Sequence, residues 1–203
     1  MTATQLLRIN IVNCGGMRDI MSEQESMFLQ QALPLFRAVH GQGRATPRAN
    51  ASMTRVYNTT ELFNTFDGKE HVMHLVAHGT STKLQTGNGK SDVTTQSFTK
   101  KAVAGAIKAP EIIVSTACDL QSPDWRSAFA AAGAKVLIAA DAPVSPANLA
   151  AFDMAFYSAL LSQVRKNKSL IERVEASFEL AKRHYADIHA SGNAYAKFRL
   201  FRL

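Results

Sequence analysis

Cysteine is scarce in this chain: Cys14 and Cys118 are the only two. A pair so sparse cannot brace a disulfide-dense secreted scaffold, and it lacks the paired spacing of a structural zinc site. Long apolar runs are missing as well. No stretch approaches the ~18 consecutive apolar residues of a membrane span, and no basic segment precedes an apolar block at the N-terminus, so neither a span nor a secretory signal is expected. The chain therefore reads as cytosolic. Internal repeats and low-complexity segments are also absent. What is present belongs to the globular range: 46% hydrophobic residues, 19% charged residues and a mean hydropathy of -0.08. Its 203 residues are enough for a real core, and a single domain over residues 1–203 is expected.

The 23 lysines and arginines outnumber the 16 acidic residues, giving a net charge of +7 and a pI near 9.6. This balance favours encounters with an anionic partner: nucleic acid, a membrane surface or an acidic protein. The basic residues are scattered, however, over Arg44, Arg48, Lys100, Lys101, Arg165, Lys166, Lys168, Lys197, Arg199 and Arg202. They form no dense block and no nucleic-acid motif, so an ordinary solvated surface is expected, with no nucleic acid as direct ligand.

Strand and helix signals alternate along the chain. Leu6–Val12 is a β-rich run that breaks at Asn13-Cys14-Gly15-Gly16. Ser22 and Glu25 have capping-box spacing and predict a helix running to about His40. A loop over Gly41–Ala51, a short strand near Thr54–Tyr57 and a helix near Thr60–Phe66 follow. His71–Ala77 is a second apolar strand, and the polar stretch Thr80–Asp92 reads as a loop or irregular hairpin. A helix from Thr95 ends by Pro110, ahead of the strand Ile112–Thr116. Ser122-Pro123 opens a helix closed by Gly133, and Lys135–Ala140 is the next strand. Helices opening at Ser145-Pro146 and Ser169, the latter with Glu172 as a capping box, complete the pattern, with an edge strand in the tail. Such alternation predicts an α/β fold with a mostly parallel sheet covered on both faces.

Ligand sites in such sheets lie beyond the carboxyl ends of the strands. Asn13 and Cys14, His78 and Gly79, Ala117 and Cys118, and Asp141 all fall there. A thiol attacks a carbonyl as thiolate, and a neighbouring base generates it; His78 on one loop and Cys118 on the next fit those roles if their strands are neighbours. The N–H groups of Gly79 and Cys118 would then form an oxyanion hole. A buried, inert thiol is the other reading of the same pattern. The three histidines His71, His74 and His78 would share a face of a helix and hold a metal there, but the apolar residues between them alternate as in a strand, so no metal and no cofactor is expected. His74 reads as a satisfied core histidine. The stretch Gly87–Ser91 resembles the end of a phosphate loop, yet Leu84 stands where its first glycine would be. Phe152, Phe156, Tyr157 and Phe178 have the helical spacing of a core.

The pairing of a strand-His-Gly block with a strand-Ala-Cys block about 40 residues later resembles caspase-like cysteine peptidases. HVMHLVAHG, with its additional His74, and EIIVSTACD are similar to the His and Cys blocks of the CHAT subgroup. AFAAAGAKVLIAADAPV and FDMAFYSALL follow in that subgroup's order, so the resemblance covers about Val72 to Ala181. It implies a caspase-like α/β sandwich of about six strands, with Cys118 as nucleophile, His78 as general base and then acid, and Gly79 and Cys118 as N–H donors. The implied reaction is cleavage of a protein substrate through a thioacyl intermediate, with no cofactor. Thr116 stands where caspases carry Gln and basic-specific relatives carry Asp, so an acidic pocket for Arg or Lys is not expected there. Asn13, Thr116, Asp119 and Asp141 are the candidate substrate-binding residues of the rim; turn, capping and packing roles are the alternatives for Asn13, Asp119 and Asp141. The resemblance further implies a regulated effector of a bacterial defence or signalling system, switched on by a separate activating or sensor protein. The rival expectation is a non-catalytic module of the same fold that binds an anionic partner through its basic surface.

Overall fold

Runs of β-branched and aliphatic residues build one central sheet. The structure, a computed structural model, describes residues 6–15, 19–39, 45–87, 91–140, 146–162, 168–188 and 198–203. In chain order the first elements are β1 (Leu7–Asn13), α1 (Ile20–Ala32), β2 (Arg37–Val39), β3 (Ala45–Pro47), β4 (Ala49–Arg55) and α2 (Thr59–Asn64). Next come β5 (Val72–Val76), β6 (Lys83–Thr86), β7 (Ser91–Thr94), α3 (Thr95–Val103), β8 (Ile112–Ser115) and α4 (Pro123–Ala131). The chain closes with β9 (Val136–Ala140), α5 (Pro146–Ser162), α6 (Leu170–Ile188) and β10 (Phe198–Arg202).

The main sheet has six strands in the order β10-β9-β8-β5-β1-β4. All neighbours are parallel except β10, which runs antiparallel along β9 with Phe198 opposite Ala140. Parallel strands covered by crossover helices are buried on both sides, which is why β5, β8 and β9 are buried at every residue. Alternate residues of each strand feed two separate cores. Val72, Val76, Ile112, Val114 and Ile138 pack under α1, α5 and α6, while Met73, Leu75, Ile113 and Leu137 pack under α2, α3 and α4. The six-stranded, mostly parallel α/β sandwich with helices on both faces is therefore the architecture expected from the sequence.

Several boundaries differ from the sequence reading. The first helix starts at Ile20 because Asp19, rather than Ser22, is its N-cap: the Asp19 carboxylate accepts from the Ser22 N–H. Glu25, expected in a capping box with Ser22, turns into the core instead. The same helix, expected to run to about His40, stops at Ala32 before Pro34, which lacks the N–H that a further turn requires; a 3-10 turn over Leu33–Leu35 leads into β2. The fourth strand begins at Ala49, inside the expected loop, because its pairing with β1 from Leu7↔Ala49 onward outweighs its weak local signal. Of the two readings of the stretch after Thr80, loop or irregular hairpin, the structure has the hairpin, β6 with β7. Ser122 caps α4 with Pro123 in its first turn, and Ser169 and Glu172 bond reciprocally at the start of α6, as their spacing indicates. Val164 and Gly192, expected to continue and to end helices, lie outside the described residues.

Candidate active site

The parallel register places the loops after β5 and β8 side by side, with Leu75 opposite Ser115 at the end of their pairing. His78 and Cys118 lie on these loops, at the carboxyl rim of the sheet. The approach is close at Gly79. A Cβ there would lie 2.9 Å from the Cys118 carbonyl oxygen and 2.6 Å from Leu120 Cδ1, so the site is built for a residue without a side chain. The helix behind it locks the loop in place: Ser122 Oγ donates to Ser81 O at 2.7 Å and Trp125 Nε1 to Thr80 O at 3.0 Å.

The imidazole of His78 is largely solvent-exposed, and its Nε2 lies 2.8 Å from Asp19 Oδ2. Burial pushes the Asp19 carboxyl up, but the Ser22 hydroxyl and N–H and the His78 charge outweigh it and hold the group below the ordinary carboxylate range. A carboxylate on Nε2 favours the tautomer that carries its proton there, leaving the Nδ1 lone pair as proton acceptor. Asp19 is a site residue that the sequence does not single out: its position directly before an apolar-periodic helix is an N-cap signal, but nothing in the sequence ties it to His78.

The two thiols differ sharply. Cys14 is buried, and burial pushes its thiol far up. Cys118 is half-buried, and its thiol is also raised, by burial first and then by the neighbouring Asp119 carboxylate. Both effects oppose ionisation, so a base that takes the thiol proton would assist it. No hydrogen bond joins His78 to Cys118; the imidazole is held by Asp19 instead. Neither the Gly79 nor the Cys118 N–H donates to another residue among those described.

Asn13, Thr116 and Asp119 are each held by local contacts. Asn13 is buried, with its Nδ2 donating to Glu23 Oε2 and its Oδ1 accepting from the Gly15 N–H, each at 2.9 Å, so it shapes the turn after β1. Thr116 is buried with its hydroxyl 3.5 Å from Leu75 O. Asp119 adopts the left-handed conformation at φ 59, which Asp tolerates better than most residues, and its carbonyl accepts from the Ser122 N–H at 3.2 Å. It thereby makes the turn between Cys118 and α4. Asp141 lies outside the described residues. The three histidines do not converge: His71 Nδ1 accepts from the Arg8 N–H at the opposite end of β5, His74 is in the core, and only His78 is on the rim.

These residues define an α/β sandwich carrying a Cys, a His and an Asp on the carboxyl rim of its sheet. No protein-family model matches the sequence, and no curated protein matches it. Among solved structures, a chain of the Saccharomyces cerevisiae separase–securin complex is similar, with a TM-score of 0.46 and 12% identity; the match covers 98% of this chain and 12% of that one. Among the described residues, no helix is long and apolar enough to cross a membrane.

Proposed function

We propose that the chain is a cysteine endopeptidase of the CHAT type, acting on protein substrates through Cys118 and His78. The observation that carries this reading is the contact of the two loops at Gly79, where a Cβ would meet the Cys118 carbonyl. In the proposed reaction His78 Nδ1 takes the Cys118 thiol proton and Sγ attacks the substrate carbonyl carbon. The resulting oxyanion faces the N–H groups of Gly79 and Cys118. The imidazolium, its charge offset by Asp19, gives its proton to the leaving amine, and water then cleaves the thioester. In this reading Asn13, Thr116, Asp119 and Asp141 are the residues that would contact substrate, and residues 1–203 would act as one domain. A separate activating or sensor protein, in a bacterial defence or signalling system, would bring the imidazole and thiol into bonding distance. Mapping new protein N-termini after controlled expression of wild-type and Cys118→Ala chains tests the reading. Cleavages present only with the wild type are expected, and indistinguishable profiles would reject it.

A second reading is favoured by a groove of about 830 Å³ at the other end of the sheet, where Arg8, Lys69, Lys108, Lys135 and Lys168 outnumber Glu70 and Glu111. There the chain would bind an acidic partner without catalysis. Salt-sensitive binding of polyglutamate, lost in Lys108→Glu/Lys135→Glu protein and retained in Cys118→Ala, would favour it.

A further inference from the structure

Beneath the rim, the face of β5 that meets α1 and α5 carries a polar cluster that the proposed reaction does not use. His74 lies at the middle of β5, Glu25 on α1 and Asp153 on α5. The side chains of His74 and Asp153 are fully buried and that of Glu25 is 7% exposed. His74 Nε2 is 3.1 Å from Glu25 Oε1 and 3.7 Å from Asp153 Oδ2, and one ligand atom from each residue falls within 4.8 Å of the others. On the other side of the ring, Nδ1 lies 2.9 Å from the Tyr157 hydroxyl.

We infer that Glu25, His74 and Asp153 form a buried site for a divalent metal ion of the zinc type. Zinc binds imidazole nitrogen and carboxylate oxygen at about 2.0–2.2 Å, so adjacent ligand atoms of a tetrahedron stand roughly 3.3–3.6 Å apart. The two distances from His74 Nε2 bracket that edge. Tyr157 occupies the place of an outer partner that receives the second ring N–H and aims Nε2 at the ion. Asp153 supplies the independent sign: neither carboxylate oxygen has a hydrogen-bond partner, although the residue is fully buried. Two carboxylates around one imidazole match the charge of a dication, whereas Ca²⁺ and Mg²⁺ prefer six or more oxygens and no nitrogen. The three ligands come from three elements, so the ion would pin α1 and α5 to β5. Through α1 it would also fix the helix end that presents Asp19 to His78. The site is independent of the peptidase reading and stands even if Cys118 is inert.

The test uses the whole chain, unfolded and refolded with Zn²⁺, then dialysed exhaustively. About one zinc per chain is expected by elemental analysis, with a lower thermal midpoint after dipicolinate treatment and a tetrahedral visible spectrum when Co²⁺ replaces zinc. Asp153→Asn, which keeps the side-chain volume, should lose the metal, and Tyr157→Phe should weaken binding by about 10–100-fold. Wild-type protein that retains less than about a tenth of an equivalent, with a midpoint indifferent to zinc and chelator, would overturn the inference whatever the variants do. Full zinc retention by Asp153→Asn would overturn the ligand set.

Discussion

Cys118 sits among forces that oppose its ionisation. Burial and the Asp119 charge both raise its thiol, so a thiol-directed probe should label it slowly at neutral pH and faster as pH rises toward the raised value. Asp119→Asn removes the like charge and, since Asn also tolerates the left-handed backbone, should leave the turn intact. Labelling of that variant at pH 7 is expected to be faster than wild type, with Cys14 slower in both; an unchanged Cys118 rate would show that the carboxylate does not reach the thiol. Gly79 is limited by space, because it does not have the positive φ that makes other glycines of this chain obligatory. In Gly79→Ala the new methyl would strike Leu120 and the Cys118 carbonyl, and a loss of about 1–3 kcal/mol is expected in denaturant titration.

Among the elements, α1 links stability to the rim because its capping residue also holds His78. Asp19→Ala removes the acceptor for the Ser22 N–H and should cost about 1 kcal/mol. The Asp19 carboxyl is held below its ordinary range in the folded chain. Its contribution is therefore present above the unfolded value of about 3.9 and lost as pH falls through the lower folded value. Urea unfolding of wild type and Asp19→Ala should differ most near pH 5 and converge in stronger acid; a gap that widens on acidification would mean the sign is wrong. A tie of another kind holds the C-terminal end of α5, where Arg48 donates to the carbonyls of Leu161 and Ser162 at 2.5 and 2.8 Å. Carbonyls at a helix C-terminus lack intrahelical donors, so a guanidinium there satisfies groups the helix cannot.

The whole molecule depends on two cores of different character. The layer formed by α2, α3 and α4 is closed by an aromatic cluster: Phe98 meets Phe66 edge-on at 4.9 Å, Phe129 at 5.3 Å and Trp125 at 5.8 Å. Phe98→Ala would leave a void bounded by rings that cannot collapse into it, and a loss of about 3–5 kcal/mol is expected from guanidinium unfolding. A loss below about 1 kcal/mol would mean the layer relaxes freely. The opposite layer combines stacked rings, with Phe152 and Phe198 at 3.7 Å, and the buried polar cluster around His74. Polar groups at that depth are tolerated only where each is matched, so it is there that a bound cation would contribute most to folding.

Local chemistry made much of this legible in the sequence. Alternation of apolar runs with capped helices specified the α/β class, Ser122-Pro123 and Ser169 with Glu172 marked two helix starts, and the positions of His78 and Cys118 after apolar strands put them on the rim. These are short-range properties, decided by residues within a few positions of one another. Asp19 beside His78, Ala49 opposite Leu7 and Glu25 with Asp153 around His74 are not of that kind. Each joins segments far apart in the chain, and only strand order and helix crossovers bring them together. Ser22 and Glu25 show the competition directly: their spacing favours a capping box, but Glu25 gains a buried imidazole partner, and the tertiary contact prevails over the local one.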